Sequence, residues 1–470
     1  MSQSGLAAAV ERLEERGVDE RAIRVFSHYY EQLEQGTSGL IAESDIEPLS
    51  EVTSLEQLQA TQDERREALS RTAVVKLNGG LGTSMGLSGP KSLLEVRDGR
   101  TFLDVIARQV LALREEYGVE VPLLLMNSFR TRDASLEALA AYPELEVEGL
   151  PLDFLQNAEP KLRADDLTPV EWPDDPELEW CPPGHGDVYV AMLASGVLQA
   201  LRDKGFRYVF LSNSDNLGAT CDPTVPVWMA REGIPYVSEV CDRTANDRKG
   251  GHLAIRRSDG RIVLRERSMV SEEDDRFFQD TERHPLFHAN NLWVDLDALD
   301  ARLADSDGVL GLPIIVNRKT VDPSRKDSTP VIQIESAMGT AIEVFAGSRA
   351  LRIPRSRFRP VKTTNELLLL RSDLFAFDEL SRVVAQTDRR DPRVDLDDHY
   401  TLIDDFDERF PAGAPSLREC TSLVVHGDVT FGAGVRCVGD VVVEADEPRT
   451  IADDTVLHDS LEESPAEVGR

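Results

Sequence analysis

Cysteine is scarce in this chain: Cys181, Cys221, Cys241, Cys420 and Cys437 are the five thiols in 470 residues. They lie far apart and no two share metal-ligand spacing, so neither a cysteine-bound structural metal nor a disulfide framework is expected. A reduced, cytoplasmic protein is the simplest account. No run of about 18 apolar residues occurs, so no transmembrane helix is expected. Met1-Ser2-Gln3-Ser4-Gly5-Leu6 lacks a basic region leading into an apolar one, and no secretory signal is expected. Basic residues are outnumbered, 52 against 85 acidic ones, for a net charge of −33. That balance argues against nucleic acid as a partner, which needs a basic face to displace counterions. A small anionic substrate is not, because a local basic pocket overrides the global field. So acidic a surface suits a salty interior, where charge keeps it solvated. Folding stability is then expected to rise in molar KCl; no gain would count against that reading.

What the chain does have is apolar content for a large core, 41% hydrophobic, in two or three structural units. The rest is organised around residues 74–94, VVKLNGGLGTSMGLSGPKSLL. A short apolar strand leads into glycines at 79, 80, 82, 86 and 89, then Pro90 and Lys91. Glycines let backbone approach a ligand, exposed N–H groups cradle phosphate oxygens, and a lysine adds a compact positive charge. An ordinary turn needs only two or three special residues. A P-loop is ruled out because Pro90 separates Gly89 from Lys91. The dinucleotide fingerprint fails because its third glycine is out of place after Gly80-Leu81-Gly82.

Residues 4–35 read as two helices broken at Gly17-Val18-Asp19, with Leu6, Val10, Leu13 and then Ile23, Phe26 and Tyr30 at helical spacing. From Val74 onward, apolar runs alternate with helical segments: helix 102–117, strand 121–126, helix 188–201, strand 208–211. That alternation predicts an α/β fold with a mostly parallel sheet, whose ligands sit beyond the carboxyl ends of the strands. In the tail, Leu423, Val429, Val435 and Val441 recur every six residues, as do Val425, Phe431, Cys437 and Val443. A hexapeptide β-helix of one or two coils is predicted over a plain hairpin pair. After Asp446 the acidic sequence reads as frayed.

Leu77-Asn78-Gly79-Gly80-Leu81-Gly82-Thr83, Met85-Gly86 and Pro90-Lys91 together resemble the signature loop of the UTP–glucose-1-phosphate uridylyltransferase family. The resemblance runs through further motifs in order, from about Val74 to Val443. It implies a Rossmann-like nucleotidyltransferase core of mixed, mostly parallel sheet, a helical N-terminal segment and a small C-terminal left-handed β-helix. The corresponding boundaries are 1–70, 71–385 and 386–470. It also implies in-line attack of a sugar phosphate on the α-phosphorus of UTP, with Mg²⁺ as cofactor and pyrophosphate as leaving group. Two polyanions must then be held in line and their charge neutralised, with no protein nucleophile.

On that resemblance Lys91 contacts the triphosphate, and Lys362, within Arg359-Pro360-Val361-Lys362-Thr363-Thr364-Asn365, is the second phosphate-binding lysine; these two are the catalytic candidates. Asp215, in Ser212-Asn213-Ser214-Asp215-Asn216-Leu217-Gly218 just past a strand, would hold Mg²⁺ through its carboxylate while substrate phosphates complete the octahedron. Without that context the segment would read as an Asx turn. Asn213 falls to the sugar-phosphate side. Gln156 and the Leu77, Asn78, Gly79 and Gly80 backbone match the uracil contacts, with Gly184 also on the UTP side. His185, in Pro182-Pro183-Gly184-His185-Gly186-Asp187, resembles the histidine on the glucosyl phosphate, either as an acid or only as a hydrogen-bond donor; Asp187 reads as a helix N-cap. Lys249-Gly250-Gly251, Glu266 and Asn290 resemble the sugar-side segments, and Gly79, Gly80 and Asp215 face the sugar phosphate too.

Two positions depart from the family pattern: His288, where asparagine is usual, and Met269, where glutamine is usual. Both bear on sugar choice, so another sugar-1-phosphate, or several of them, is the alternative substrate. An N-acetylhexosamine enzyme would carry arginine and leucine at Ser84 and Met85. A nucleotide-sugar glycosyltransferase would hold metal through Asp-x-Asp, for which Asp295-Leu296-Asp297 looks instead like a strand end or helix start. A non-catalytic nucleotide sensor would have no use for intact Lys91, Asp215 and Lys362. The expected partners are UTP and glucose-1-phosphate, with no nucleic acid and no membrane, and a homo-oligomer formed through the C-terminal domain.

Overall fold

Thr72–Asn78 is buried at all but one position and lies inside an 11-stranded sheet. The computed structural model describes residues 3–244, 247 and 250–458. Along the main path the strands run Thr53–Ser54, Arg349–Arg352, Tyr236–Asp242, Leu286–Asp295, Tyr208–Asn213, Thr72–Asn78, Leu123–Asn127 and Asp153–Leu155. Leu286–Asp295 is antiparallel to both neighbours, and every other pairing on this path is parallel. The fold is therefore α/β with a large, mostly parallel sheet. Such a sheet is covered on both faces, which explains near-continuous apolar strands such as Leu123–Asn127. Period-two alternation divides the burial. Val74 and Phe210 join one core, while Val75, Val209 and Leu211 join the other.

The helix Phe102–Tyr117 starts at Thr101, which forms a capping box with Asp104, and stops at Gly118 with φ 61°. The stretch 188–201 is not one helix. It breaks into Val188–Ala194 and Val197–Asp203 at Gly196, whose φ is 77°. Asp187 is not a side-chain cap either: its carboxylate accepts from the Asn157 backbone N–H and from Asn157 Nδ2, both at 2.7 Å.

Helices Gln3–Glu15 and Glu20–Glu34 pack Ala9, Leu13, Phe26 and Tyr30 against Leu162, Ile314, Ile332 and Ile334. The segment that follows is not helix alone, since Ile46–Pro48 and Thr53–Ser54 add to the main sheet. In the tail, Ser416–His426 pairs in parallel with Arg436–Glu444, placing Leu423 beside Val441, three hexads further on. Both six-residue series point inward. The stretch after Asp446, which reads from sequence as frayed, instead forms Arg449–Ile451 and Val456–His458, which pair with Val429–Phe431 and Arg436–Glu444 and bury Ile451 and Leu457. Residues 459–470 lie outside the described residues. The tail's core is continuous with that of the main sheet. All five cysteines are free and buried, and among the described residues no helix is long and apolar enough to cross a membrane.

Candidate active site

The glycine-rich loop leaves the carboxyl end of Thr72–Asn78 and closes on itself through a Leu81–Pro90 bridge and the Lys91 N–H to Gly80 O bond at 3.2 Å. Its first residues divide into structural and open groups. Asn78 is held by its side chain, with Nδ2 donating to Asn127 Oδ1 at 2.7 Å and Ser135 Oγ at 2.8 Å, so its backbone is what remains for a ligand. Leu77 O accepts the Ser214 N–H at 3.1 Å, tying this loop to the turn carrying Asp215. Gly79 is a close-approach glycine: a Cβ there would lie 2.6 Å from Gln156 Oε1, whereas one on Gly80 would meet nothing within 4 Å.

Three charged side chains converge at the far end of the loop. Asp215 Oδ2 accepts from Lys91 Nζ at 3.2 Å and from Lys362 Nζ at 3.1 Å, and Lys91 Nζ also donates to Val361 O. Asp215 Oδ1 is buried and has no hydrogen-bond partner. The Val361 N–H returns to Asp215 O at 3.1 Å, and Thr363 caps the helix Thr364–Arg371 that follows Lys362. Asn213 ends the strand Tyr208–Asn213, where Oδ1 accepts from Asn290 Nδ2 at 3.2 Å. Asn290 sits at φ 56°, a strained conformation for a non-glycine residue, and its own Oδ1 is buried without a partner.

On the neighbouring side, Gly184 takes φ 77°, and a Cβ there would lie 2.5 Å from Ser336 O. This bend presents His185, whose Nδ1 accepts the Met338 N–H at 3.0 Å. The neutral ring therefore carries its proton on Nε2. Burial, with Lys362 adding to it, holds the imidazole neutral and takes its pKa down to about 4. His185 and Glu266 line one open cleft of about 710 Å³ together with Asn317, Glu335 and Ala337. Burial pushes the Glu266 carboxyl up to about 7, and it lies against Gly251, where a Cβ would meet Oε2 at 2.6 Å. Lys249 lies outside the described residues. The candidates thus gather into four groups: Gly79 with Gln156; Lys91, Asp215 and Lys362; His185, Glu266 and Gly251 beside the cleft; and Asn213 with Asn290 at the strand end.

Met269 is buried, and its O accepts the Ile41 N–H at 2.9 Å. His288 is also buried. Its backbone N–H donates to Gly251 O at 2.9 Å, and its Nε2 has no partner. Its ring explains Gly339, since a Cβ there would lie 2.4 Å from His288 Cε1. Burial first and His185 second lower the His288 pKa to about 3. The unfolded imidazole takes a proton near 6.5, so between those values the unfolded chain binds more protons and stability falls as pH falls. His185 acts with the same sign. Glu266 and Asp187, whose carboxyls burial raises to about 7 and about 6, act with the opposite sign over the same range, so the test is a difference. From pH 7.5 to 4.5 the melting temperature of His288→Asn is expected to shift toward stability relative to the unsubstituted protein, and equal slopes in thermal melts would remove His288 from that account.

Sequence reasoning passed over the layer beneath these groups. Lys76 is buried, donating through Nζ to Ser212 Oγ and Ala219 O, both at 2.8 Å, and so grips both ends of the Asp215 turn. Burial pulls its pKa down to about 7. A lysine within an apolar strand was its visible signal. Asn216, Glu239, Asn291, Trp293 and Arg357 form a buried polar network alongside it.

A family model described as UTP–glucose-1-phosphate uridylyltransferase matches residues 23–437. The chain is 40% identical over 386 residues to the UTP–glucose-1-phosphate uridylyltransferase of Solanum tuberosum, covering 81% of this chain and 78% of that one. It is 39% identical over 392 residues to the Saccharomyces cerevisiae protein of the same name, covering 83% and 77%. Among solved structures, a point mutant of UDP-glucose pyrophosphorylase from Leishmania major in complex with UDP-glucose matches at TM-score 0.91 and 40% identity, covering 97% of this chain and 98% of that one. A Trypanosoma brucei structure described as UDP-glucose phosphorylase matches at TM-score 0.88 and 42% identity, covering 97% and 99%. With a family model spanning most of its length and such relatives along it, the chain belongs to the UTP–glucose-1-phosphate uridylyltransferase family.

Proposed function

We propose that this protein transfers the uridylyl group of UTP to glucose-1-phosphate, forming UDP-glucose and releasing pyrophosphate. The observation that carries the reading is the meeting of Lys91, Asp215 and Lys362 at the end of the glycine-rich loop. A phosphate oxygen of the sugar phosphate attacks the α-phosphorus in line, and the bond to pyrophosphate breaks. Neither a protein nucleophile nor a proton transfer is needed, so the protein's work is alignment and charge neutralisation. Lys91 and Lys362, which share one carboxylate oxygen, offer their remaining ammonium N–H donors to phosphate oxygens when the polyanions enter. The Leu77–Gly80 backbone and Gln156 take the uracil edge, and Gly184 lies on the UTP side. His185, neutral with its proton on Nε2, donates to the sugar phosphate; Asn213, Asn290, Gly251 and Glu266 take the sugar side.

Mg²⁺ is the proposed cofactor. A buried carboxylate oxygen without a partner, such as Asp215 Oδ1, is costly unless something bonds it. Mg²⁺ is commonly held by one or two carboxylates together with substrate phosphates. When bound, the ion supplies positive charge to the phosphate oxygens.

The same reading divides the chain into 1–70, 71–385 and 386–470, makes the C-terminal coil a left-handed β-helix able to mediate homo-oligomers, and places the protein in the cytoplasm. The decisive assay follows pyrophosphate release from UTP, glucose-1-phosphate and Mg²⁺. Release is expected. Release only with another sugar-1-phosphate would keep the reaction and move the substrate, which is where the His288 and Met269 departures bear.

A further inference from the structure

We propose that Glu239 and Arg357, a buried ion pair bonded to other protein groups, are positioning residues for uridylyl transfer, setting the separation of the Asp215 carboxylate from the Lys362 ammonium. The inference rests on the reading of Asp215 and Lys362 given above. The two groups come from chain segments far apart in sequence, the turn 213–219 and the stretch 357–362, and a short list of bonds joins them. Asn216 Nδ2 donates to Arg357 O at 3.2 Å, and Asn216 Oδ1 accepts the Arg359 N–H at 2.9 Å. Gly218 lets the backbones close: a Cβ there would lie 2.5 Å from Ser356 O and 2.9 Å from the Arg357 carbonyl carbon.

Arg357 holds that junction from below. Its Nη2 donates to Thr220 O at 2.9 Å and to Glu239 Oε1 at 2.6 Å, while Nε reaches Glu239 Oε2 at 3.2 Å. One arginine therefore grips the exit of the Asp215 turn with its guanidinium and, through its backbone carbonyl, ties the stretch leading to Lys362 to Asn216. Glu239 in turn accepts from Asn291 Nδ2 and Trp293 Nε1, both at 2.9 Å, so each of its oxygens has two donors. Asn291 and Trp293 belong to Leu286–Asp295, the antiparallel strand between Tyr208–Asn213 and Tyr236–Asp242. The sheet itself thereby sets where the guanidinium lies.

Stability alone is a poor reason for such a pair, because apolar residues of similar volume are often as stable or more so. What fully satisfied charges with planar, bidentate geometry provide is direction. Asp215 and Lys362 must keep their spacing as charge develops in the transition state, while ground-state grip on the nucleotide comes largely from the glycine-rich loop. Disturbing the pair should thus lower kcat and spare KM.

Glu239→Gln is expected to lower kcat per folded enzyme by at least tenfold, to leave KM for UTP and for glucose-1-phosphate within threefold, and to raise the Mg²⁺ concentration for half-maximal rate. The double variant Glu239→Gln/Arg357→Met removes the unpaired charge and should regain melting temperature without regaining kcat. Recovery of kcat in step with melting temperature would overturn the proposal, as would an unchanged kcat in a folded Glu239→Gln. Should Glu239→Gln fail to fold, Trp293→Phe removes only one donor; a severalfold fall in kcat with unchanged KM supports the proposal, and an unchanged kcat sinks it. Asp215→Asn, assayed in parallel, separates the two levels. Full activity there defeats the underlying reading, whereas an inactive Asp215→Asn beside a normal Glu239→Gln defeats this inference alone.

Discussion

Asp215→Ala is expected to lower kcat by roughly a thousandfold or more while leaving UTP binding unchanged or tighter; loss of one transition-state electrostatic group costs about 10²–10³ elsewhere, and this carboxylate serves two lysines and the proposed metal. Lys91 Nζ and Lys362 Nζ each lie near 3 Å from its Oδ2, so they sit close together with that oxygen as their shared counter-charge. Removing it leaves two adjacent cations, a better ground-state site for a triphosphate and a worse place to hold Mg²⁺. The side chain of Lys362 is 59% exposed, so water screens much of the added repulsion and the fold should survive. Calorimetric titration with UTP in the absence of metal, beside steady-state rates across Mg²⁺ concentrations, reads both halves. Near-normal kcat would remove Asp215 from the chemistry. A large loss of UTP affinity would instead make the carboxylate a folding element of the loop.

That prediction could be framed from sequence because loops announce themselves where backbone must do unusual things. Gly79 must admit Gln156, and Gly184 must take positive φ against Ser336, so both appear as glycines in the chain. The strands before the motifs were legible for a similar reason: a sheet covered on both faces needs unbroken apolar runs. In the tail, each rung repeats the demand for an inward apolar residue, and the six-residue series stood out. Errors arose where a local pattern had two solutions. Asp187 has the position of a helix cap, but its carboxylate is held by Asn157, thirty residues earlier in the chain. The helix 188–201 had continuous apolar spacing, yet Gly196 takes a left-handed conformation and divides it. The acidic content after Asp446 masked Ile451 and Leu457, which suffice to seat two more short strands. Least legible was the layer under the site. Asn216, Glu239 and Arg357 are unremarkable residues at distant positions, and only the fold shows that they share hydrogen bonds.

Lys91→Ala is expected to cost roughly a thousandfold in kcat/KM, the upper range for a single preorganised donor, and clearly more than Lys362→Ala. The two lysines meet the same Asp215 oxygen, so charge alone does not rank them; burial does. The Lys91 side chain is 15% exposed and its ammonium is also fixed on Val361 O, whereas that of Lys362 is 59% exposed. A fixed charge shielded from water acts through a lower effective dielectric and needs no reorganisation as the transition state forms. The exposed one is screened and pays entropy to be held in place. Lys91→Arg should not rescue the loss, because a planar guanidinium cannot occupy the position of a compact ammonium held between Val361 O and Asp215. Lys362→Arg, with solvent on one side, should retain much of its rate. Steady-state kinetics of the four variants, with near-ultraviolet circular dichroism to confirm the fold, tests the order. Equal losses at the two positions would show that burial does not set their weight, and full activity in Lys91→Arg would show that any cation at the end of the loop suffices.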